Sequence, residues 1–171
     1  RSSRRPPRQR ALGDEARELR RWRTIVSTTF SDVPPDGHEA LFEDLWRHFA
    51  KPSSWQAFDD AGPTIERLQA RGVVVAVGSN FDARLLPIVA KLLPAVAADR
   101  VFASSLVGRR KPSAGFFEHC LTRLGLAERS RLLIVGDDAD NDFLGPRTLG
   151  FATLFLDRRN RTPNLAPRIT S

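Results

Sequence analysis

The sequence predicts an α/β protein: a parallel sheet with helices on both faces, preceded by a smaller part that is helical only. Three observations carry this prediction. Short apolar runs of strand length recur at Val73-Val74-Val75-Ala76-Val77, Leu132-Leu133-Ile134-Val135 and Phe151-Ala152-Thr153-Leu154-Phe155-Leu156, as expected of strands buried on both faces. Stretches of helical spacing separate them, and alternating strands and helices imply parallel crossovers. Before residue 55 the apolar positions recur at three and four instead.

Composition bounds the function. The chain has 171 residues, 41% apolar and 27% charged, ordinary for a globular protein with one real core. No apolar run approaches the roughly 20 residues of a membrane span, so no membrane partner is expected. The net charge of +7 is uneven: residues 1–23 hold nine arginines against Asp14, Glu15 and Glu18. A basic arm can bind nucleic acid, but no aromatic residues interleave with its first arginines and no nucleic-acid motif follows. Nucleic acid is therefore not expected as a partner. The single Cys120 excludes an internal disulfide, fits a reducing cytoplasm, and reads as a small core residue. The chain contains no methionine, even at position 1, and is expected to be part of something longer. Nothing in the sequence assigns an oligomeric state.

Taken in order, residues 1–13 are polar, basic and proline-containing and read as a poorly ordered arm. Asp14 can cap a helix that runs on through the β-branched Thr24–Thr29, because Leu19, Trp22, Val26 and Phe30 keep helical spacing. Val33-Pro34-Pro35-Asp36-Gly37 is a turn. A helix over 38–50 carries Leu41, Phe42, Leu45, Trp46 and Phe49 on one face. Lys51-Pro52-Ser53-Ser54 ends it, so 14–54 forms a small helical part. The α/β part, 55–157, begins with a helix over 62–71 that Gly72 caps. A strand to Gly78, a helix over 82–93 and a short strand near 100–103 follow. Next come a helix over 113–125, a strand over 131–135, a helix over 142–149 and a last strand over 151–156. Residues 158–171 read as a flexible tail.

In open α/β sheets ligands bind beyond the carboxyl ends of the strands. The first strand delivers Gly78-Ser79-Asn80 there. The second leads to Arg110-Lys111-Pro112. The third delivers Gly136-Asp137-Asp138-Ala139-Asp140-Asn141-Asp142. Ser79 offers a hydroxyl and an N–H at a helix start, where anions are favoured, although Ser-Asn there is also a common cap. Lys111 is one of three lysines in an arginine-rich chain, and its compact ammonium suits a phosphoryl oxygen or a carboxylate. Crowded carboxylates call for a cation, and oxygen ligands suit Mg²⁺. A calcium loop fails twice, because Phe143 stands where it needs glycine and Leu149 where it needs a bidentate glutamate.

Together these words resemble motifs II, III and IV of the haloacid dehalogenase-like hydrolase superfamily, in order and at fitting intervals over roughly 14–157. Gly78-Ser79-Asn80-Phe81-Asp82 and Lys111-Pro112-Ser113-Ala114-Gly115-Phe116-Phe117 are similar to its subfamily with an early helical cap. The resemblance implies a Rossmann-like core with a partial helical cap over 14–54. It implies that Ser79 bonds a transferring phosphoryl group, Asn80 shapes the pocket and Lys111 neutralises the charge. Asp137 and Asp138 would ligate Mg²⁺, and Asp142 would support the metal's waters or orient Lys111. A small phosphorylated substrate and an aspartyl-phosphate intermediate follow from the same likeness.

One part of the pattern is absent. The family's first motif, Asp-x-Asp-x-Thr or Val after an apolar strand, supplies the nucleophile and the sheet's central strand, and no stretch here fits. Asp32 and Asp36 stand four apart around Pro34-Pro35, among cap helices. The chain as given is therefore expected to be inactive. Two other readings remain: a non-catalytic phosphate-binding module, or a metal-free 2-haloacid dehalogenase, which the acidic cluster argues against.

Overall fold

The computed structural model describes residues 7–170, with side chains from Glu15 onward. The chain divides into two compact units, 1–108 and 109–171. No helix among the described residues is long and apolar enough to cross a membrane.

In the first unit, α1 (Pro7–Thr29) is a single helix. It begins inside the stretch expected to be a loose arm; residues 1–6 lie outside the described residues. Pro7 suits a first helical position, where its missing N–H is no loss. The β-branched segment stays helical because Val26 is buried, while Thr24 Oγ1 and Ser27 Oγ donate back to the Arg20 and Thr24 carbonyls. A 3-10 turn at Pro35–Gly37 leads to α2 (His38–Ala50). The two helices meet through Phe42 and through Trp22 stacked on Phe49 at 6.2 Å. Arg23 grips Glu39 at 2.7 Å.

After a second 3-10 turn, α3 (Ala61–Ala70) ends where Gly72 adopts φ +77°. The Gly72 N–H donates to the Gln69 carbonyl and the Val73 N–H to that of Leu68, the paired bonds of a glycine C-cap. Then come β1 (Val77–Ser79), α4 (Leu85–Leu92), β2 (Val101–Ala103) and the one-turn α5 (Ser104–Val107). β1 and β2 are parallel, Val77 opposite Val101 and Ser79 opposite Ala103. The strand expected to start at Val73 starts only at Val77. Among the described strands β1 pairs with β2 alone, so residues 73–76 have no ladder to join. Val73 and Val74 are 46% and 55% exposed, not doubly buried.

The second unit holds α6 (Ala114–Arg123), β3 (Leu133–Gly136), α7 (Gly145–Thr148), β4 (Ala152–Leu156) and β5 (Arg168–Ile169). Its sheet is parallel in the order β3-β4-β5. Phe116, Phe117, Cys120 and Leu121 of α6 form its core with Phe143, Phe151 and Phe155. One face of β3 is uncovered: Leu133 and Val135 are 55% and 47% exposed. The described strands thus form two sheets, β1–β2 in the first unit and β3–β4–β5 in the second.

One expectation is corrected here. The helix expected over 142–149 is a π-helical turn at Ala139–Leu144 followed by α7. Beyond 157, buried Asp157 gathers the chain. Its carboxylate accepts the Arg161 and Thr162 N–H groups at 2.8 Å and Arg168 Nη1 at 3.2 Å. This bends the chain back so that β5 covers the open edge of β4. Ser171 lies outside the described residues.

Candidate functional site

The acidic strand end lies in the second unit. β3 runs out at Gly136, and Asp137 is exposed just beyond it. Asp138 turns the chain into the π-helical turn. Its Oδ1 accepts the Asp140 and Asn141 N–H groups at 3.0 and 2.9 Å, and its Oδ2 accepts Asn141 Nδ2 at 2.7 Å. The Asn141 backbone N–H and side-chain amide hold the Asp138 carboxyl below the usual carboxylate range, against a smaller effect of burial. The Asp140 N–H and the Lys111 charge act in the same direction.

The wide turn carries Asp142 to the inside, where it is buried. Lys111 approaches from the loop before α6, and its Nζ meets Asp142 Oδ1 at 2.5 Å. With side chains 13% and 11% exposed, this is a shielded, charge-assisted contact. The structure thus brings together Lys111, Asp138 and Asp142, with Asp137 at the rim. Asp140 is exposed.

Three carboxylates alone do not make a magnesium site here. Mg²⁺ takes octahedral oxygen ligands and keeps several waters. Asp138 is engaged by the turn and Asp142 by Lys111, while Asp137 and Asp140 are exposed. Among the described residues no group of three or more His, Cys, Asp or Glu is gathered to hold a metal. The residues present do not complete the site that the acidic run suggested.

Ser79 and Asn80 lie in the first unit, at the end of β1 and in the loop after it. This loop is braced by residues to which sequence reasoning assigned no role. Asp82, fully buried, accepts Arg84 Nε and Nη2 at 2.8 and 2.7 Å. Arg84 also donates Nη1 to the Trp46 carbonyl at 3.0 Å, and its guanidinium lies 3.3 Å from the Trp46 ring centroid. Glu15 of α1 accepts the Ala83 N–H at 3.1 Å and the Ser105 hydroxyl. Ser104 Oγ and the Ser105 N–H donate to the Phe81 carbonyl. An Asp-x-Arg at a helix start was the available signal for the first of these; the contacts of Glu15 and Ser105 left none. Trp46 and Phe49, from the apolar face of α2, are engaged in this packing: Trp46 under Arg84, and Phe49 against Trp22 and Trp55. Asp32 is exposed in the turn between α1 and α2.

Parallel strands that deliver polar residues to their carboxyl ends, with a lysine–aspartate pair beside an acidic loop, define a Rossmann-like α/β hydrolase as the class. Residues 8–150 match the haloacid dehalogenase-like hydrolase family, and the chain belongs to it. It is 34% identical over 132 residues to human haloacid dehalogenase-like hydrolase domain-containing protein 3, covering 75% of this chain and 52% of that protein. It is 30% identical over 136 residues to the ribulose-1,5-bisphosphate 5-phosphatase of Halopiger xanaduensis, covering 79% and 55%. The chain thus spans about half the length of these relatives. The crystal structure of a haloacid dehalogenase-like phosphatase from Thermococcus onnurineus shares the fold, with a TM-score of 0.66 at 23% identity over 80% of this chain and 66% of that one.

Proposed function

We propose that the chain is the phosphoryl-handling part of a phosphatase acting on a small phosphorylated metabolite through an aspartyl-phosphate intermediate. One observation carries the reading: Lys111 is fixed at 2.5 Å from Asp142 beside the acidic end of β3. A fixed ammonium offsets the charge of a transferring phosphoryl group without reorganising. Ser79 and Asn80 are assigned to the same group by the family resemblance, as donors to its oxygens. Asp137 and Asp138 are the carboxylates through which this chain would touch Mg²⁺, and Asp138 also holds the turn. The similarity to the ribulose-1,5-bisphosphate 5-phosphatase supports this over dehalogenation, as does the acidic cluster, since displacing a halide needs no Mg²⁺.

These 171 residues contain no Asp-x-Asp-x-Thr or Asp-x-Asp-x-Val, so the chain by itself lacks the nucleophile. Purified 1–171 is expected not to hydrolyse p-nitrophenyl phosphate with or without Mg²⁺. Turnover abolished by Asp32→Asn would overturn this. Inorganic phosphate titrated into 1–171 and followed by ³¹P NMR should bind weakly, and Lys111→Ala should abolish the binding. Phosphate binding equal in the two proteins would remove Lys111 from the site.

A further inference from the structure

Two glycines flank the Lys111–Asp142 pair, and neither is required by its backbone angles. Gly136 is absent from the left-handed glycines, which are Gly72, Gly108, Gly125 and Gly150. Gly145 has φ −57° and ψ −58°, right-handed helical values at which alanine is the better residue by about 1 kcal/mol. What excludes a side chain at each position is space.

A Cβ at Gly136 would lie 2.5 Å from Asp142 Cγ and 2.6 Å from Asp142 Cβ; the three nearest atoms all belong to Asp142. The Asp142 carboxylate therefore lies across the end of β3, in the volume that a side chain at 136 would fill. A Cβ at Gly145 would lie 2.6 Å from the Asp140 carbonyl oxygen and would collide with Pro112 Cβ. Pro112 follows Lys111 directly. Each glycine thus admits one half of the pair: Gly136 admits the carboxylate, and Gly145 admits the segment that carries the ammonium.

We propose that Gly136 and Gly145 are positioning residues that set the place of the Lys111 ammonium through its contact with Asp142. Its importance for phosphoryl binding rests on the function proposed above; the geometry does not. Alanine at 136 forces the Asp142 side chain to swing away while leaving the β3 backbone free to pair with β4. Alanine at 145 pushes Pro112, and Lys111 with it.

The chain has only three lysines, Lys51, Lys91 and Lys111, so the ¹⁵N-ammonium NMR signals of intact 1–171 can be assigned by single Lys→Arg replacements. The Lys111 signal should be protected from solvent exchange in the wild type and lost in Asp142→Asn. In Gly136→Ala it should be lost to the same degree, with the Lys51 and Lys91 signals and the far-UV dichroism unchanged. Gly145→Ala should give the same result and serves if Gly136→Ala fails to fold. A folded variant that keeps the wild-type Lys111 signal would overturn the proposal. So would failure of both variants to fold, since the glycines would then be structural requirements only. A phosphate titration separates the two readings. Loss of the Lys111 signal with phosphate binding intact would uphold the positioning role and sink the phosphoryl-binding one.

Discussion

Lys111 and Asp142 stand 31 residues apart in the chain and 2.5 Å apart in space. Neither is free to look outward for a partner, because both side chains are nearly enclosed. Removing one member of such a pair strands the other charge away from water. Asp142→Asn should therefore destabilise the second unit by on the order of 3 kcal/mol, read from urea unfolding. Replacing both residues by apolar ones, as in Lys111→Met with Asp142→Leu, should recover most of that loss. A double variant no more stable than Asp142→Asn would show that the enclosed charge is not the source of the cost.

Asp138 makes stability depend on acid. Its carboxyl titrates below the usual range because the Asn141 backbone and side-chain N–H groups favour the charged form. Folding therefore gains from the carboxylate above the ordinary Asp value of about 3.9, and this gain is lost as the pH falls through the lower folded value. Asp138→Ala should cost about 1 kcal/mol at pH 7, the usual worth of such a cap. The gap between wild type and variant should be flat through neutrality and close only below about pH 4. Thermal melts across that range measure it; a gap that widens on acidification would contradict the assignment.

Arg84 ties the loop after β1 to the carboxyl-terminal half of α2. It makes a two-pronged contact with Asp82, donates to the Trp46 carbonyl and lies over the Trp46 ring. Lysine keeps the charge but has neither the planar fork nor the face. Arg84→Lys should lower stability by about 2 kcal/mol and change tryptophan emission, because Trp46 loses its covering cation. An unaltered emission spectrum would show that the stacking does not persist in solution.

Cys120 should be inert. Burial among Phe116, Phe117 and Leu121 pushes its thiol up to about 12, and reaction requires the thiolate. A thiol reagent at neutral pH should label it only after unfolding in guanidinium. Rapid labelling of the folded chain would show that α6 opens readily.

The helices were legible because each carries its own local record. Leu41, Phe42, Leu45, Trp46 and Phe49 repeat at helical spacing, and α2 spans His38–Ala50 as that spacing requires. The acidic run and Lys111 were legible as residue types suited to an anion and a cation. The run of carboxylates could not reveal which oxygens were already engaged. By residue type Asp138 suits both a metal and a cap, and the N–H groups of the following turn show that it caps. Glycines 136 and 145 were silent for a similar reason: their cause is a side chain or segment brought against them from elsewhere.

The strands separate the two levels most clearly. The apolar character of Val73–Val77 and Leu132–Val135 was determined by sequence alone, as was the order in which strands and helices alternate. Whether such a run becomes a buried strand depends on a neighbour that supplies the other half of every backbone hydrogen bond. Val73 and Val74 have none among the described residues and stay exposed. Arg168-Ile169, with no apolar pattern of note, becomes β5 because Asp157 returns the chain to the bare edge of β4. Side-chain periodicity is a local property that the sequence determines; strand pairing and the Lys111–Asp142 contact join distant residues, so only the tertiary structure decides them.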